Sequence, residues 1–154
     1  MGLFGRKGRL ILSIDGGGIR GIIPAAILVE IQRRLECRKK WKPFPELFDL
    51  IAGTSTGGLL SLALCAPRVE ADGSLSSVPA SSPAAILSLY EKRGAEIFPR
   101  TKFHKLKSLK QAFYEKYDHR PFETILEDIL GSVTLKQALT SVLITAYDTE
   151  NRAP

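Results

Sequence analysis

Within its first 67 residues this chain twice passes from a short apolar run through clustered glycines into a segment with helical character. The first passage is Arg9 to Asp15, RLILSID, then Gly16-Gly17-Gly18, then a stretch in which Ile27, Ile31 and Leu35 recur at helical spacing with Leu28 alongside. Glu30, Arg33, Arg34 and Glu36 take the other face of that helix, and Arg38, Lys39 and Lys40 suit the negative end of its dipole. Pro43 and Pro45 forbid its continuation. The second passage is Phe48 to Ala52, then Gly53 to Gly58, then LLSLALCA, which Pro67 terminates. Strands separated by helices pair in parallel through right-handed crossovers, so two such units predict a three-layer α/β/α fold with a largely parallel sheet.

Further along, residues 67–83 are rich in Pro and Ser, lack an apolar period and read as a surface loop. Ser82-Pro83 is a cap and first-turn pair for a helix through about Arg93. Arg100 to Lys110 is basic and amphipathic, with Phe103, Leu106 and Leu109 at helical spacing. Pro121 to Leu130 reads as a helix ended by Gly131, and Thr134 caps a short one through Leu139. Val142 to Tyr147 reads as a strand entering the polar turn Asp148-Thr149-Glu150-Asn151. Pro154 stands where a hairpin's return strand is due, so residues 1–154 are expected to be the N-terminal part of a single domain, incomplete at the C-terminal side.

Composition narrows the class. A hydrophobic content of 44% in 154 residues is that of one globular domain. No apolar run reaches the roughly 18 to 20 residues of a spanning helix. Asp15 ends the apolar stretch after Arg6, Lys7 and Arg9 too early for a signal peptide, and Arg6 stands where a myristoylation motif wants Ser or Thr. Cys37 and Cys65 are too few for a disulfide framework, which points to a reducing compartment and a cytoplasmic protein, peripheral to membranes at most. The net charge of +6 favours anionic surfaces without choosing among them.

Gly53-Thr54-Ser55-Thr56-Gly57 is a G-x-S-x-G between a strand and a helix. A sharp turn there lifts the serine oxygen above the sheet edge, small neighbours relieve crowding, and the helix N-terminus stabilises negative charge. The plain alternative is a turn with a capping serine. Asp15 to Gly21 satisfies G-x-G-x-x-G, so a dinucleotide-binding domain using the Gly16 to Gly21 turn is the rival. That site expects an acidic residue ending the next strand, where this chain has Ala52-Gly53. No Gly-Lys-Ser/Thr follows the glycines, which excludes a phosphate loop of the nucleotide-hydrolase type. Backbone N–H groups of a glycine triplet can instead converge on an oxyanion, each donor contributing about 2.7 to 4 kcal/mol.

Taken together, Asp-Gly-Gly-Gly-x-Arg-Gly over Asp15 to Gly21, Pro24 three residues later, and Gly-Thr-Ser-Thr-Gly-Gly over Gly53 to Gly58 resemble the patatin-like phospholipase family. The resemblance is specific at these two motifs and architectural from Leu10 through the turn after Tyr147. It implies a lipid acyl hydrolase of phospholipase A or galactolipase type, with Ser55 as nucleophile and Gly53, Thr54, Thr56 and Gly57 forming its elbow. It implies an oxyanion hole from Gly16, Gly17, Gly18 and Arg20, no cofactor and no metal. The family's base is an aspartate in a downstream Asp-Gly-Gly or Asp-Gly-Ala, and neither motif follows Ser55 here. Asp72-Gly73-Ser74 is the nearest match and reads as a turn, as does Asp148, so the base is expected beyond Pro154 and these residues alone are expected to be inactive.

His104 and His119 are the histidines available to a Ser-His-Asp triad, and both read as solvated. They lie fifteen residues apart with no cysteine pair nearby, which leaves metal binding unsupported. Arg100, Lys102, Lys105, Lys107 and Lys110 with Phe103 and Phe113, and Arg38 to Lys42 around Trp41, could seat the chain on an anionic lipid surface. A non-catalytic lipid-surface module is therefore a further alternative. Nothing resembles a nucleic-acid-binding module.

Overall fold

The computed structural model describes residues 8–97 and 120–146. In chain order its elements are β1 (Ile11–Ile14), a 3-10 turn (Gly18–Gly21), α1 (Ile22–Cys37), α2 (Phe44–Leu47), β2 (Leu50–Thr54), α3 (Thr56–Cys65), β3 (Pro67–Val69), β4 (Leu75–Pro79), α4 (Pro83–Ile97), α5 (Arg120–Leu130), a second 3-10 turn (Leu135–Gln137) and β5 (Ser141–Thr145). Strands β1, β2 and β5 form one sheet in that order, with both pairings parallel. The repeated strand, turn and helix thus build the layered, parallel α/β arrangement that their order predicts.

Register brings Ile14 level with Gly53 and Gly53 level with Ile144. The entry to β1 is tied to the entry to β2: Leu10 N–H donates to Asp49 Oδ2 at 2.8 Å, Asp49 N–H donates to the Leu10 carbonyl at 2.8 Å, and Arg9 reaches Asp49 at 3.2 Å. Ile14, Ile51, Leu60, Leu64 and Cys65 sit in one buried cluster with Ala25 and Leu28 of α1 and Ile86 and Tyr90 of α4. Burying a Leu or Ile side chain contributes about 1.5 to 3 kcal/mol, so the helix running through Leu60 and Leu64 anchors the sheet. The alternate strand positions face the other way, where Ile11 and Leu143 are 57% and 50% exposed.

The short apolar runs do become strands, and Pro67 does follow the end of α3. Gly131, at φ 54°, ends α5, and its N–H donates to the Glu127 carbonyl at 2.8 Å. Thr134 and Gln137 close a reciprocal capping box on the second 3-10 turn. Ser82 Oγ accepts from Ala85 N–H at 3.2 Å, and α4 runs to Ile97, four residues past Arg93.

The structure corrects two readings. Residues 67–83 are not simply a loop: β3 and β4 pair as an antiparallel hairpin around Asp72-Gly73. Pro67 is fully buried where β3 leaves α3, but Val69, Leu75 and Val78 are exposed, so beyond Pro67 the hairpin rests on backbone pairing and a left-handed Gly73 (φ 82°). The buried stripe of α1 is Ala25 and Leu28, flanked by half-buried Ile22 and Ile31, whereas Ile27 is exposed. Trp41 packs edge-on against buried Phe44 with ring centroids 5.4 Å apart, which spends that ring on packing. The basic stretch at 100–110, with Phe113, His104, His119 and Asp148, lies outside the described residues.

Candidate active site

Because β1 and β2 are parallel neighbours, the turns that follow them emerge at the same end of the sheet, where α/β sites form. The turns touch. A Cβ placed on Gly16 would lie 2.5 Å from the Thr54 carbonyl oxygen and 2.9 Å from Ser55 Cβ, so only a glycine allows the backbone after β1 to lie this close to Ser55. Gly57 lies against β1 in the same way: a Cβ there would collide with the Ile14 carbonyl oxygen and stand 2.9 Å from that of Asp15. Gly16 and Gly57, one from each motif, are thus explained by two backbones converging on one point.

Ser55 occupies φ 53°, ψ −122° at the junction of β2 and α3. A non-glycine residue at positive φ costs about 1 to 3 kcal/mol and persists only where the surroundings over-determine it. Here the buried Gly53 and Thr56 on either side hold the turn. Ser55 is exposed and its side chain makes no capping hydrogen bond to α3, so its hydroxyl is not spent as a helix cap. Its carbonyl accepts from Leu59 N–H at 3.2 Å, while Ser61 Oγ, one turn on and buried, donates to the Gly57 carbonyl at 2.8 Å. The hydroxyl stands at the N-terminus of α3, where the helix dipole favours negative charge.

On the facing turn, Gly17 precedes the 3-10 helix, and Arg20 N–H donates to the Gly17 carbonyl at 3.2 Å. The exposed Arg20 side chain folds back over Gly17, its Nε 3.4 Å from the same carbonyl. The first N–H groups of a helix have no partner within it, so Gly18 and Ile19 add donors to this corner. A cleft of about 530 Å³ runs from Asp15, Gly16 and Arg20 along Leu12, Ile23, Ile27 and Ile31, and Ser55 is not among its walls.

The structure brings Gly16, Ser55, Thr54 and Gly57 together and sets Asp72 elsewhere. The β3–β4 hairpin springs from the far end of α3, which at ten residues is about 15 Å from Ser55 along the helix axis. The Asp72 carboxylate accepts from Ser74 N–H at 2.9 Å, and hydrogen bonds with Ser74 hold its pKa below the ordinary value. It is a turn former, as its sequence context suggests. Among the described residues no three His, Cys, Asp or Glu side chains gather into a metal-binding group. The dinucleotide alternative loses ground: β2 ends in Gly53-Thr54 without an acid, and the surface of Gly16 is taken by the serine turn.

One residue beneath the site escapes a motif search. Tyr90 of α4 is 4% exposed, and its ring lies against Gly21. Its only sequence signal is helical spacing from Ile86, which marks it as core rather than as part of a site.

Comparison with known proteins gives the family. The family model for patatin-like phospholipase matches residues 12–153. The chain is 36% identical over 150 residues to patatin-like protein 2 of Oryza sativa subsp. indica, covering 94% of this chain and 35% of that one. It is 36% identical over 148 residues to patatin-like protein 2 of Arabidopsis thaliana, again covering 94% and 35%. With patatin-2-Kuras 3 of Solanum tuberosum it shares 35% identity over 146 residues, covering 94% and 34%. The chain therefore spans about a third of the length of these relatives. On its match over nearly its whole length, the chain belongs to the patatin-like phospholipase family.

Proposed function

We propose that this chain supplies the nucleophile half of a lipid acyl hydrolase, of phospholipase A or galactolipase type, that works through a covalent acyl-Ser55 intermediate. The observation that carries the proposal is Ser55 itself: an exposed hydroxyl on a positive-φ turn, in contact with Gly16 of the neighbouring glycine turn. Ser55 Oγ attacks the ester carbonyl and its proton passes to a base. Backbone N–H groups around Gly16, Gly17 and Gly18 receive the oxyanion, with the Arg20 charge nearby. The lipid alcohol leaves with a proton, and water then releases the fatty acid from Ser55.

A serine hydroxyl is a weak nucleophile at neutral pH, and general-base assistance contributes about a hundred- to ten-thousand-fold. We expect that task to fall to an aspartate of a downstream Asp-Gly-Gly or Asp-Gly-Ala motif, in sequence beyond Pro154. Residues 1–154 then form the N-terminal part of one catalytic domain and turn over esters slowly by themselves. Basic surface charge supports peripheral contact with an anionic lipid surface. No helix among the described residues is long and apolar enough to cross a membrane.

The test is hydrolysis of p-nitrophenyl esters and phospholipid vesicles by the polypeptide as its gene encodes it and by the 154-residue chain, each with a Ser55→Ala control. A fluorophosphonate probe maps the reactive residue. Ser55-dependent turnover is expected from the encoded polypeptide and little from the short chain. Turnover unaffected by Ser55→Ala would remove the assignment, and robust turnover by the short chain would place the base within residues 1–154.

A further inference from the structure

Both crossovers of the parallel sheet advance the same way. The spatial order β1-β2-β5 is the order of the chain, and right-handed crossovers that advance in one direction lay their helices on one face. The packing obeys that rule: Ala25 and Leu28 of α1 and Leu60 and Leu64 of α3 share one buried cluster with Ile14 and Ile51. Register then identifies the opposite face. Leu12, Ile51 and Val142 form one row on the covered side, and Ile14, Gly53 and Ile144 form the next. The rows between them, Ile11-Leu50-Ser141 and Ser13-Ala52-Leu143, point away from the helices, and Ile11 and Leu143 are both exposed there. The described residues leave this face open.

The β1 edge is open as well, and α1 overhangs it. The cleft of about 530 Å³ takes Leu12, Ser13 and Ile14 of β1 for one wall and Ile23, Ile27 and Ile31 of α1 for the other. Ile23 and Ile27, one helical turn apart, are 58% and 55% exposed. Beside β5, the other edge, the groove is instead walled in part by Lys136, Thr140 and Ser141. The apolar seat is therefore at β1.

All-parallel sheets have both faces covered, and a free edge presents unpaired N–H and C=O groups. One element meets both needs. A crossover that returns from the β5 side to a further parallel strand beside β1 reverses the direction of travel, so right-handedness lays its helix on the open face. We propose that the β1 edge, the α1 overhang and the face bearing Ile11 and Leu143 are the docking seat of such a helix and strand, supplied by the same polypeptide downstream of Pro154. The proposal rests on the reading of residues 1–154 as the N-terminal part of one catalytic domain, but not on acyl transfer to Ser55. A relative of which this chain covers 35% has ample sequence for the unit. The seat sets its chemistry: the strand turns alternate apolar side chains into the space under Ile23 and Ile27, and the helix lays an apolar stripe over Ser13 and Ala52, whose short side chains permit close approach. The Gly16 to Gly18 turn then stands between β1 and the added strand, where connections leave on opposite faces. That is the switch point at which open α/β sheets bind ligands.

The experiment introduces Ile11→Cys, Ile27→Cys or Leu143→Cys into the polypeptide as its gene encodes it and into the 154-residue chain, each with Cys37→Ser. Maleimide labelling of each position is followed by peptide mass spectrometry. Val78→Cys, on the exposed side of β4, is the reference. In the encoded polypeptide the three positions are expected to label at least about tenfold more slowly than Val78→Cys, and in the 154-residue chain within about threefold of it. Labelling as fast as the reference at all three positions of the encoded polypeptide would overturn the proposal, as would a gene that encodes nothing after Pro154. Slow labelling at Ile11 and Leu143 with fast labelling at Ile27 would remove the strand from β1. Protection in the 154-residue chain that grows with its concentration would put a second copy on the seat instead. Ester hydrolysis with the Ser55→Ala control is read separately: loss of Ser55 dependence there removes the acyl-Ser55 reading and leaves the labelling result standing.

Discussion

Substituting Gly16 by alanine tests the contact on which the site depends. The new Cβ would stand 2.5 Å from the Thr54 carbonyl oxygen, a backbone atom that cannot swing aside, and 2.9 Å from Ser55 Cβ. Restoring an ordinary separation of about 3.4 Å requires the glycine turn and the serine turn to part by about 0.9 Å. Forcing a group into a closed contact costs about 1 to 3 kcal/mol. With a urea slope of about 1 to 3 kcal/mol/M, the unfolding midpoint should fall by roughly 1 M. On the proposed acyl-Ser55 reading, a displacement near 1 Å between Ser55 and the glycine-turn N–H groups costs about a hundredfold in rate, comparable with losing much of one donor's 2.7 to 4 kcal/mol. The assay is urea unfolding of the 154-residue chain together with Ser55-dependent ester hydrolysis by the encoded polypeptide. Gly8→Ala, where a Cβ meets nothing within 4 Å, is the control. A Gly16→Ala protein with unchanged unfolding midpoint and unchanged turnover would refute the claim that the two turns touch.

Ser55→Gly should unfold about 1 kcal/mol later than Ser55→Ala, because glycine releases the positive-φ strain of about 1 to 3 kcal/mol and gives back only about 0.5 to 1 in chain entropy. Urea melts of the two variants decide it. Thiol titration of the folded chain at pH 8 should find one fast group, since Cys37 is exposed while burial pushes the Cys65 thiol up to about 12; two equally fast thiols would contradict the packing of α3. The Asp49 carboxyl is held below its ordinary 3.8, chiefly by the Leu10 N–H and further by Arg9. A depressed pKa contributes stability that is present in full above the unfolded value and lost as pH falls through the folded one. Exchange at the start of β1 should therefore be flat from neutral pH down to about 4 after correction for intrinsic rates, and quicken only below it. Asp49→Asn should abolish that acid step.

The parallel α/β class is legible in the chain alone because it rests on local signals: short apolar runs, glycine turns, helical spacing and the prolines that end the helices. The meeting of the two glycine-bearing turns is legible for the same reason, since both follow strands that pair in parallel. Signals of burial fail where burial is absent. Beyond buried Pro67, the β3–β4 hairpin exposes Val69, Leu75 and Val78 and is held by backbone pairing, so no apolar alternation separates it from a loop. The buried stripe of α1 is misplaced by periodicity because four apolar residues, Ile27, Leu28, Ile31 and Leu35, span more than one face, and sequence cannot say which side meets α4.

By itself, the sequence determined that a serine would stand between a strand and a helix beside a triple glycine, and that two strand-turn-helix units would build the scaffold. Local chemistry suffices for that. Only the tertiary structure decided that Gly16 lies against Ser55, that the Ser55 hydroxyl is not consumed in capping, and that Asp72 turns a hairpin at the far end of α3. It alone decided that Tyr90, 35 residues after Ser55, packs against Gly21 at the end of the glycine turn. These are distances between segments remote in sequence. They follow from how helices close over a sheet, a sum of many packing contacts no one of which is encoded in a motif.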